Sequence, residues 1–230
     1  MKLANRILYE DNHLLIVNKL PSEIVQGDKT GDKTLLDDVK DYIKVKYNKP
    51  GAVYAGLIHR LDRPTSGIVM FAKTSKALSR MNKLFQDKEV RKTYWAVVSN
   101  DLKVECGLLE NYLLKTEKNN KSRVTKPEQK GAKKATLSYQ LIAKSKSYYL
   151  LEVKPKTGRH HQIRVQLSYI GNPIKGDVKY GYKRANQNRS IHLHARSIQF
   201  IHPIKKEEIN ITAQPPADVV WDALKTSQQC

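Results

Sequence analysis

The pattern of apolar and polar positions along this 230-residue chain changes period several times, and each change marks an element. Arg6 to Glu10 and Leu14 to Asn18 are two short apolar runs separated by Asp11-Asn12-His13, which predicts a β-hairpin. A polar turn at 28–32 follows, and then Leu35, Leu36, Val39, Tyr42, Ile43 and Tyr47 recur at helical spacing, with the intervening lysines on a solvated face. Ala55-Gly56-Leu57-Ile58 is mostly apolar. The unbroken run Gly67-Ile68-Val69-Met70-Phe71-Ala72 is short enough to be a buried strand. Thr74 or Ser75 can cap a helix that gathers Ala77, Leu78, Met81, Leu84 and Phe85 on one side. A strand is expected from about Arg91 to Val98, and period two places Tyr94 with Val90, Lys92, Ala96 and Val98, hence with the core-facing set if that side is buried.

In the second half, Ala135–Ala143 and Tyr148–Lys154 predict a strand pair around the polar turn Lys144-Ser145-Lys146-Ser147. His161 to Tyr169, closing at Gly171, fits a helix in which Ile163 and Leu167 stand four apart and Arg164 projects from a neighbouring face. Ser197 to Ile201 and Ile209 to Thr212 read as strands. No linker divides the chain, and 230 residues suffice for one large domain with its own core.

Charge narrows the class of partner. Lysine and arginine number 42 against 22 acidic residues, a formal +20 that exceeds what solubility requires and points to a polyanion, because cations that neutralise phosphates release counterions. A membrane surface is disfavoured. No amphipathic stretch has an apolar anchoring face, and no apolar run approaches the roughly 20 residues of a span. The N-terminus lacks the features of a signal peptide, and Cys106 and Cys230 form no disulfide framework, so a cytoplasmic setting is expected. Residues 115–134 hold eight basic and two acidic side chains, either a solvated mobile loop or, as we prefer in this context, an RNA-gripping loop or hairpin. His192 and His194 could share a strand face and bind a metal with His160 or His161. No carboxylate or cysteine is evidently placed to complete such a set, so ordinary hydrogen bonds are expected there and no metal.

One charged segment interrupts the apolar runs: His59-Arg60-Leu61-Asp62-Arg63-Pro64-Thr65-Ser66-Gly67. Pro64 fixes its own φ and pushes Arg63 toward extended geometry, while Ser66-Gly67 punctuates the return into the strand. The result is a stiff turn with one carboxylate between two arginines. From these residues alone Asp62 either bonds a nearby backbone amide, as aspartates in turns do, or serves chemistry.

The segment resembles the active-site motif of RluA-type pseudouridine synthases. Lys92-Thr93-Tyr94-Trp95-Ala96-Val97-Val98 resembles the second motif of that family, and Lys156-Thr157-Gly158-Arg159-His160-His161-Gln162-Ile163-Arg164-Val165-Gln166-Leu167 its third. The resemblance runs from Ile7 to Asp218 and departs from the usual pattern at Leu20, where proline often stands, and at Glu23, where glycine is common. It implies an α+β catalytic domain over residues 1–230, a mixed and mostly antiparallel sheet flanked by helices, with no separate N-terminal RNA-binding domain. It further implies a cofactor-free isomerisation of uridine in ribosomal or transfer RNA by a monomer. Asp62 would be the essential carboxylate, as covalent nucleophile or as base toward a ribose proton. Arg164 would charge-balance and orient it, Tyr94 would lie against the uracil with Ile163 opposite, Arg60 would fill the space left by the flipped base, and Arg159 would contact RNA. Two other classes compete: a non-catalytic RNA-binding or ribosome-assembly protein, which explains the charge but not the carboxylate among phosphate-binding residues, and a nuclease or glycosylase, for which no metal-binding carboxylate cluster is apparent.

Overall fold

A computed structural model describes residues 3–27, 31–99, 102, 104–116 and 119–226, so most of the polar turn expected at 28–32, the two residues 117–118 of the basic segment and Cys230 lie outside the described residues. In chain order the elements are β1 (Ile7–Glu10), β2 (Leu14–Lys19), α1 (Leu35–Lys46), β3 (Gly56–Leu57), β4 (Ser66–Ala72), α2 (Ser75–Gln86) and β5 (Arg91–Val98). Then come β6 (Cys106–Thr116), β7 (Lys121–Thr125), β8 (Lys133–Lys144), β9 (Tyr149–Pro155), α3 (Gln162–Tyr169), β10 (Leu193–Ile201), β11 (Glu208–Thr212) and α4 (Val219–Thr226). The chain folds as two compact units, residues 1–92 with 195–215 and residues 93–194 with 216–230. None of the helices is long and apolar enough to cross a membrane, among the described residues.

In the first unit β1 and β2 form the expected hairpin, closed by the Asp11 carboxylate, which accepts the backbone N–H groups of His13 at 2.8 Å and Leu14 at 2.7 Å. β2 pairs antiparallel with β4 from Leu14–Ala72 to Lys19–Gly67. Every residue of β4 is buried, as its unbroken apolar run predicts. Its Val69 and Phe71 join Leu15 and Val17 of β2 against Leu35, Val39 and Ile43 of α1. Helix α1 begins with a reciprocal cap: Thr34 accepts the Asp37 N–H, and the Asp37 carboxylate accepts the Thr34 N–H. Helix α2 lies against β4 and β3, with the Thr74 hydroxyl accepting the Ala77 N–H at its start and Ala77 and Met81 buried. β10 and β11 pair antiparallel from Ser197–Thr212 to Ile201–Glu208, beside β4.

The second unit is an antiparallel sheet in the order β5-β9-β8-β6-β7, with helices packed on both faces around β5 and β9. Ala96, Val98, Leu137, Leu151 and Val153 pack on Ile163 and Leu167 of α3, and the opposite pleat, Trp95, Val97 and Leu150, packs on Trp221 and Leu224 of α4. β5 is thus buried on both sides, with Tyr94 on the α3 side as its alternation with Ala96 and Val98 predicts. A register shift between Leu141 and Ala143 turns Ala143 to the α4 side, where it joins Leu150. Of the basic segment, Lys115 and Thr116 pair with Ser122 and Lys121 at the end of the β6–β7 ladder, residues 126–132 are turns, and Lys133 and Lys134 open β8. Helix α3 ends as Gly171 predicts: Gly171 takes φ +83°, its N–H reaches the Ser168 carbonyl at 3.0 Å, and the Asn172 N–H reaches the Leu167 carbonyl at 2.9 Å.

Gly67 tests the packing of the first unit. Its φ is +111°, and a Cβ there would lie 2.4 Å from the Ala195 carbonyl oxygen and 2.5 Å from its nitrogen. Gly181, also at positive φ (+97°), has nothing within 4 Å of a built Cβ. Gly67→Ala should therefore cost about 3 kcal/mol or more, strain plus overpacking, and Gly181→Ala only about 1–2 kcal/mol of backbone strain. Denaturant unfolding that gave the two variants equal losses would show that β4 does not need the bare glycine.

Candidate active site

Asp62 sits at the head of a backbone turn in which the Thr65 N–H donates to the Asp62 carbonyl at 3.0 Å. The turn is anchored from below by Lys19, the last residue of β2. Its side chain is fully buried, and its ammonium donates to the carbonyls of Leu20 at 2.9 Å, Arg63 at 3.1 Å and Thr65 at 2.6 Å. Three acceptors match the three donors of an ammonium, which is how a lysine tolerates burial. Burial pushes its pKa down to about 7, against the opposing pull of the Glu23 and Asp62 carboxylates. Ser22 closes the turn from the side: its N–H donates to the Arg63 carbonyl at 2.9 Å, and Arg63 Nε donates to the Ser22 carbonyl at 3.2 Å. Glu23, one of the two departures from the family pattern, accepts from buried Arg6 at 2.7 Å and from the Leu20 N–H at 2.8 Å. An acidic side chain here braces the same turn.

Two neighbours of Asp62 in sequence differ sharply in setting. Arg60 is exposed. His59 stacks on Phe85 of α2 at 5.4 Å, and burial, with the Lys92 ammonium nearby, lowers its pKa to about 3, so the ring stays neutral.

The second unit holds the other residues that the resemblance implies for the site. Arg164 is 5% exposed, inside α3, and forms a forked pair with Asp177: Nε to Oδ2 at 2.7 Å and Nη2 to Oδ1 at 2.8 Å. Its guanidinium lies 5.0 Å from the ring centre of Tyr180, whose hydroxyl accepts the Ser122 N–H at 2.8 Å and meets His161 Nδ1 at 2.8 Å. His160 bonds Ser122 through Nδ1. Ile163 is buried within the α3 cluster, and half-buried Tyr94 packs against that cluster. Arg159 is exposed, its Nε donating to the Lys134 carbonyl at 2.9 Å. His192 stacks on Trp221 and bonds Asp218 at 3.0 Å, an ordinary hydrogen bond of the kind expected for these histidines. No group of three potential metal ligands occurs among the described residues.

Asp62 and Arg60 thus belong to the first unit, and Tyr94, Ile163, Arg164 and Arg159 to the second. Sequence reading missed Lys19 and Asp177. A lysine is among the residues least often buried, and the Arg164 partner stands thirteen positions away across a turn, marked only by the preceding Gly176.

A family model described as RNA pseudouridylate synthase matches residues 13–169, which takes in the Asp62 turn, β5 and α3. The chain belongs to the RNA pseudouridylate synthase family. Among similar pseudouridylate synthases is the ribosomal large subunit pseudouridine synthase C of Vibrio cholerae, 34% identical over 218 residues that are 92% of this chain and 66% of that protein. The protein of the same name from Vibrio vulnificus is 34% identical over 99% of this chain and 71% of its own length. That of Buchnera aphidicola subsp. Schizaphis graminum is 36% identical over 95% and 69%. The chain spans about two thirds of the length of these curated relatives. Among solved structures, human RNA pseudouridylate synthase domain containing 4 aligns with a TM-score of 0.80 at 25% identity, over 99% of this chain and 94% of that one. Its domain-containing-1 counterpart, at 22% identity and a TM-score of 0.74, shares the fold. The α+β architecture expected from the sequence is the one these structures have.

Two outcomes test this geometry. Arg164→Met leaves Asp177 a buried carboxylate without its fork, and Asp177→Asn strands the guanidinium, so each should lose about 3–5 kcal/mol. In the double variant the losses should fall short of additive by about 1 kcal/mol or more, whereas additive losses would mean that the pair is not what holds α3 to the following turn. For Lys19 the folded pKa of about 7 lies below its ordinary value of 10.5, so from pH 7 upward the unfolded chain binds the extra proton. The stability difference between wild type and Lys19→Met should therefore grow in favour of wild type from pH 7 toward 10, and a flat difference would show that folding leaves the Lys19 pKa at its ordinary value.

Proposed function

We propose that this chain isomerises uridine to pseudouridine in structured RNA, and that Asp62 supplies the carboxylate. The observation that carries the reading is the family match through residues 13–169, with Asp62 on a turn braced by a buried lysine. The reaction breaks the bond between C1′ and N1 of uracil, turns the base, and joins C1′ to C5. The proton leaving C5 is balanced by the one gained at N1, so no oxidant or cofactor enters the stoichiometry. Asp62 acts as nucleophile toward C1′ or as base toward a ribose proton, and both roles need it ionised.

Roles for the remaining residues follow from their settings. Arg60 is exposed beside the turn and suits the space vacated by a flipped base. Arg164, preset by Asp177, serves as the cation that orients the carboxylate when substrate is bound, and Tyr94 and Ile163 flank the uracil. Arg159 meets the RNA backbone. Large-subunit ribosomal RNA is the first substrate to test, because the curated relatives carry that name, with transfer RNA second. In this reading the chain acts as a monomer in the cytoplasm.

RNA tritiated at C5 of uracil separates the readings. Wild type should release tritium without shortening the strand or freeing uracil, and Asp62→Asn should release none while its RNA affinity stays within a few fold. Release by Asp62→Asn would take the chemistry away from Asp62, and strand cleavage would make the chain a nuclease. Given a net charge of +20, log affinity should fall linearly with log salt, by about a decade or more between roughly 50 and 200 mM, and a flat dependence would contradict a phosphate-lined site.

A further inference from the structure

The first unit carries a cavity of about 400 Å³ at the end of β4 opposite the Asp62 turn, whose lining includes Asn12, Ile43, Tyr47, Lys49, Val53 and Tyr54. Such a volume lies within the range of ligand pockets. β4 runs from Ser66 to Ala72, so Lys73 stands roughly 20 Å along the strand from that turn. The catalytic roles assigned above use none of these side chains.

Their chemistry is specific. Tyr47 and Tyr54 keep 42% and 46% of their surface exposed, unusual for two tyrosines beside one hollow. Tyr47 is fixed in place: its hydroxyl donates to Glu10 at 2.7 Å and accepts from Lys73 at 3.0 Å. Glu10 holds that wall from behind, through Tyr47 and Lys73. Burial alone would raise its carboxyl, yet bonds from Lys46, Tyr47, Tyr42 and Lys73 bring it to about 2, so it stays ionised and balances Lys46 and Lys73. Tyr54 is placed by Gly56, where a Cβ would lie 2.8 Å from the phenol oxygen, so only a bare backbone lets the ring lie as it does. Ile43 and Val53 give the hollow its apolar lining. Lys49 is exposed, and its ammonium has no bonding partner among the described residues. Asn12, exposed at the β1–β2 turn, presents an amide.

Flat aromatic faces, an apolar lining, one unneutralised cation and an amide together match a nucleobase with its phosphate. We propose that this cavity is a subsite for one unpaired nucleotide of the substrate RNA that flanks the paired element carrying the target uridine. Its base stacks on Tyr54 against the Tyr47 wall, and its phosphate meets Lys49. The inference rests on the RNA-isomerase reading above. It gives the enzyme a second grip a few nucleotides from the target, and it makes unpaired flanking sequence part of what is recognised. β3, which pairs with Ala72 and Phe71 of β4, connects the cavity loop directly to His59-Arg60-Leu61-Asp62.

The test compares one target-bearing stem-loop RNA in three forms: blunt, with about six unpaired nucleotides at each end, and with the same flanks made abasic. Wild type should bind the flanked form about five- to tenfold more tightly than the blunt one, and abasic flanks should lose most of that advantage. Tyr54→Ala and Lys49→Gln should each reduce the advantage to less than about twofold while releasing tritium from the blunt RNA at the wild-type rate. No advantage for flanks in wild type, a full advantage with abasic flanks, or a full advantage in Tyr54→Ala would overturn the subsite. AMP that binds the cavity tightly while flanked RNA gains nothing would assign it to a free nucleotide and overturn it equally. Failure of the reading beneath is separate: wild type would release no tritium from any of the three RNAs.

Discussion

The Asp62 turn depends on an ammonium deprived of water. Lys19 is fully buried at the end of β2, and a buried cation persists only when all its donors are met. They are met by three main-chain carbonyls, two of which, Arg63 and Thr65, belong to the turn itself. The turn cannot swing away without stranding the charge, so the backbone on both sides of Pro64 is held to β2. Glu23 and Arg6 extend the brace, and the Ser22–Arg63 exchange of hydrogen bonds closes it. A carboxylate in such a frame is presented in one geometry, which is what positioned catalysis requires.

The second unit applies the same logic to the opposite charge pattern. Arg164 lies within a helix whose residues from Gln162 to Leu167 are all buried, and Asp177 meets it with a two-point fork while Tyr180 lies against its plane. Both units therefore carry a buried cation whose partners were recruited from a following loop, one from carbonyls and one from a carboxylate. In each case removal of the partner is costly because the charge has nowhere to go.

Much of the fold was readable because the sequence keeps one period over each element. β4 is an unbroken apolar run, α1 and α2 repeat at three and four, and α3 stops at a glycine that takes positive φ. β6 escaped notice because its alternation is blurred, with Leu108 more than half exposed although it is apolar. α4 has only two turns, too short for a period to show, and its role as the cover over Trp95 and Val97 depends on packing from distant sequence. Asp62 was legible as a lone carboxylate in a stiff, arginine-flanked turn, a setting that from the residues alone fits a backbone bond equally well, and the resemblance is what implied chemistry there. Lys19 and Asp177 were not, because local pattern places lysine outside and gives no distance between Arg164 and a later aspartate. The Tyr47–Tyr54 cavity was hidden for a similar reason: Tyr47 reads as one more member of the α1 stripe until its exposure is known.

On the proposed function, the buried Lys19 side chain sets the geometry in which Asp62 works. Single-turnover tritium release by Lys19→Met, with RNA bound to saturation and the fold verified by its spectrum and unfolding transition, tests it most directly. The rate should fall at least tenfold below wild type with RNA affinity within a few fold, since Lys19 is fully buried and its loss leaves the exposed cations in place. A folded Lys19→Met that turns over at the wild-type rate would contradict it.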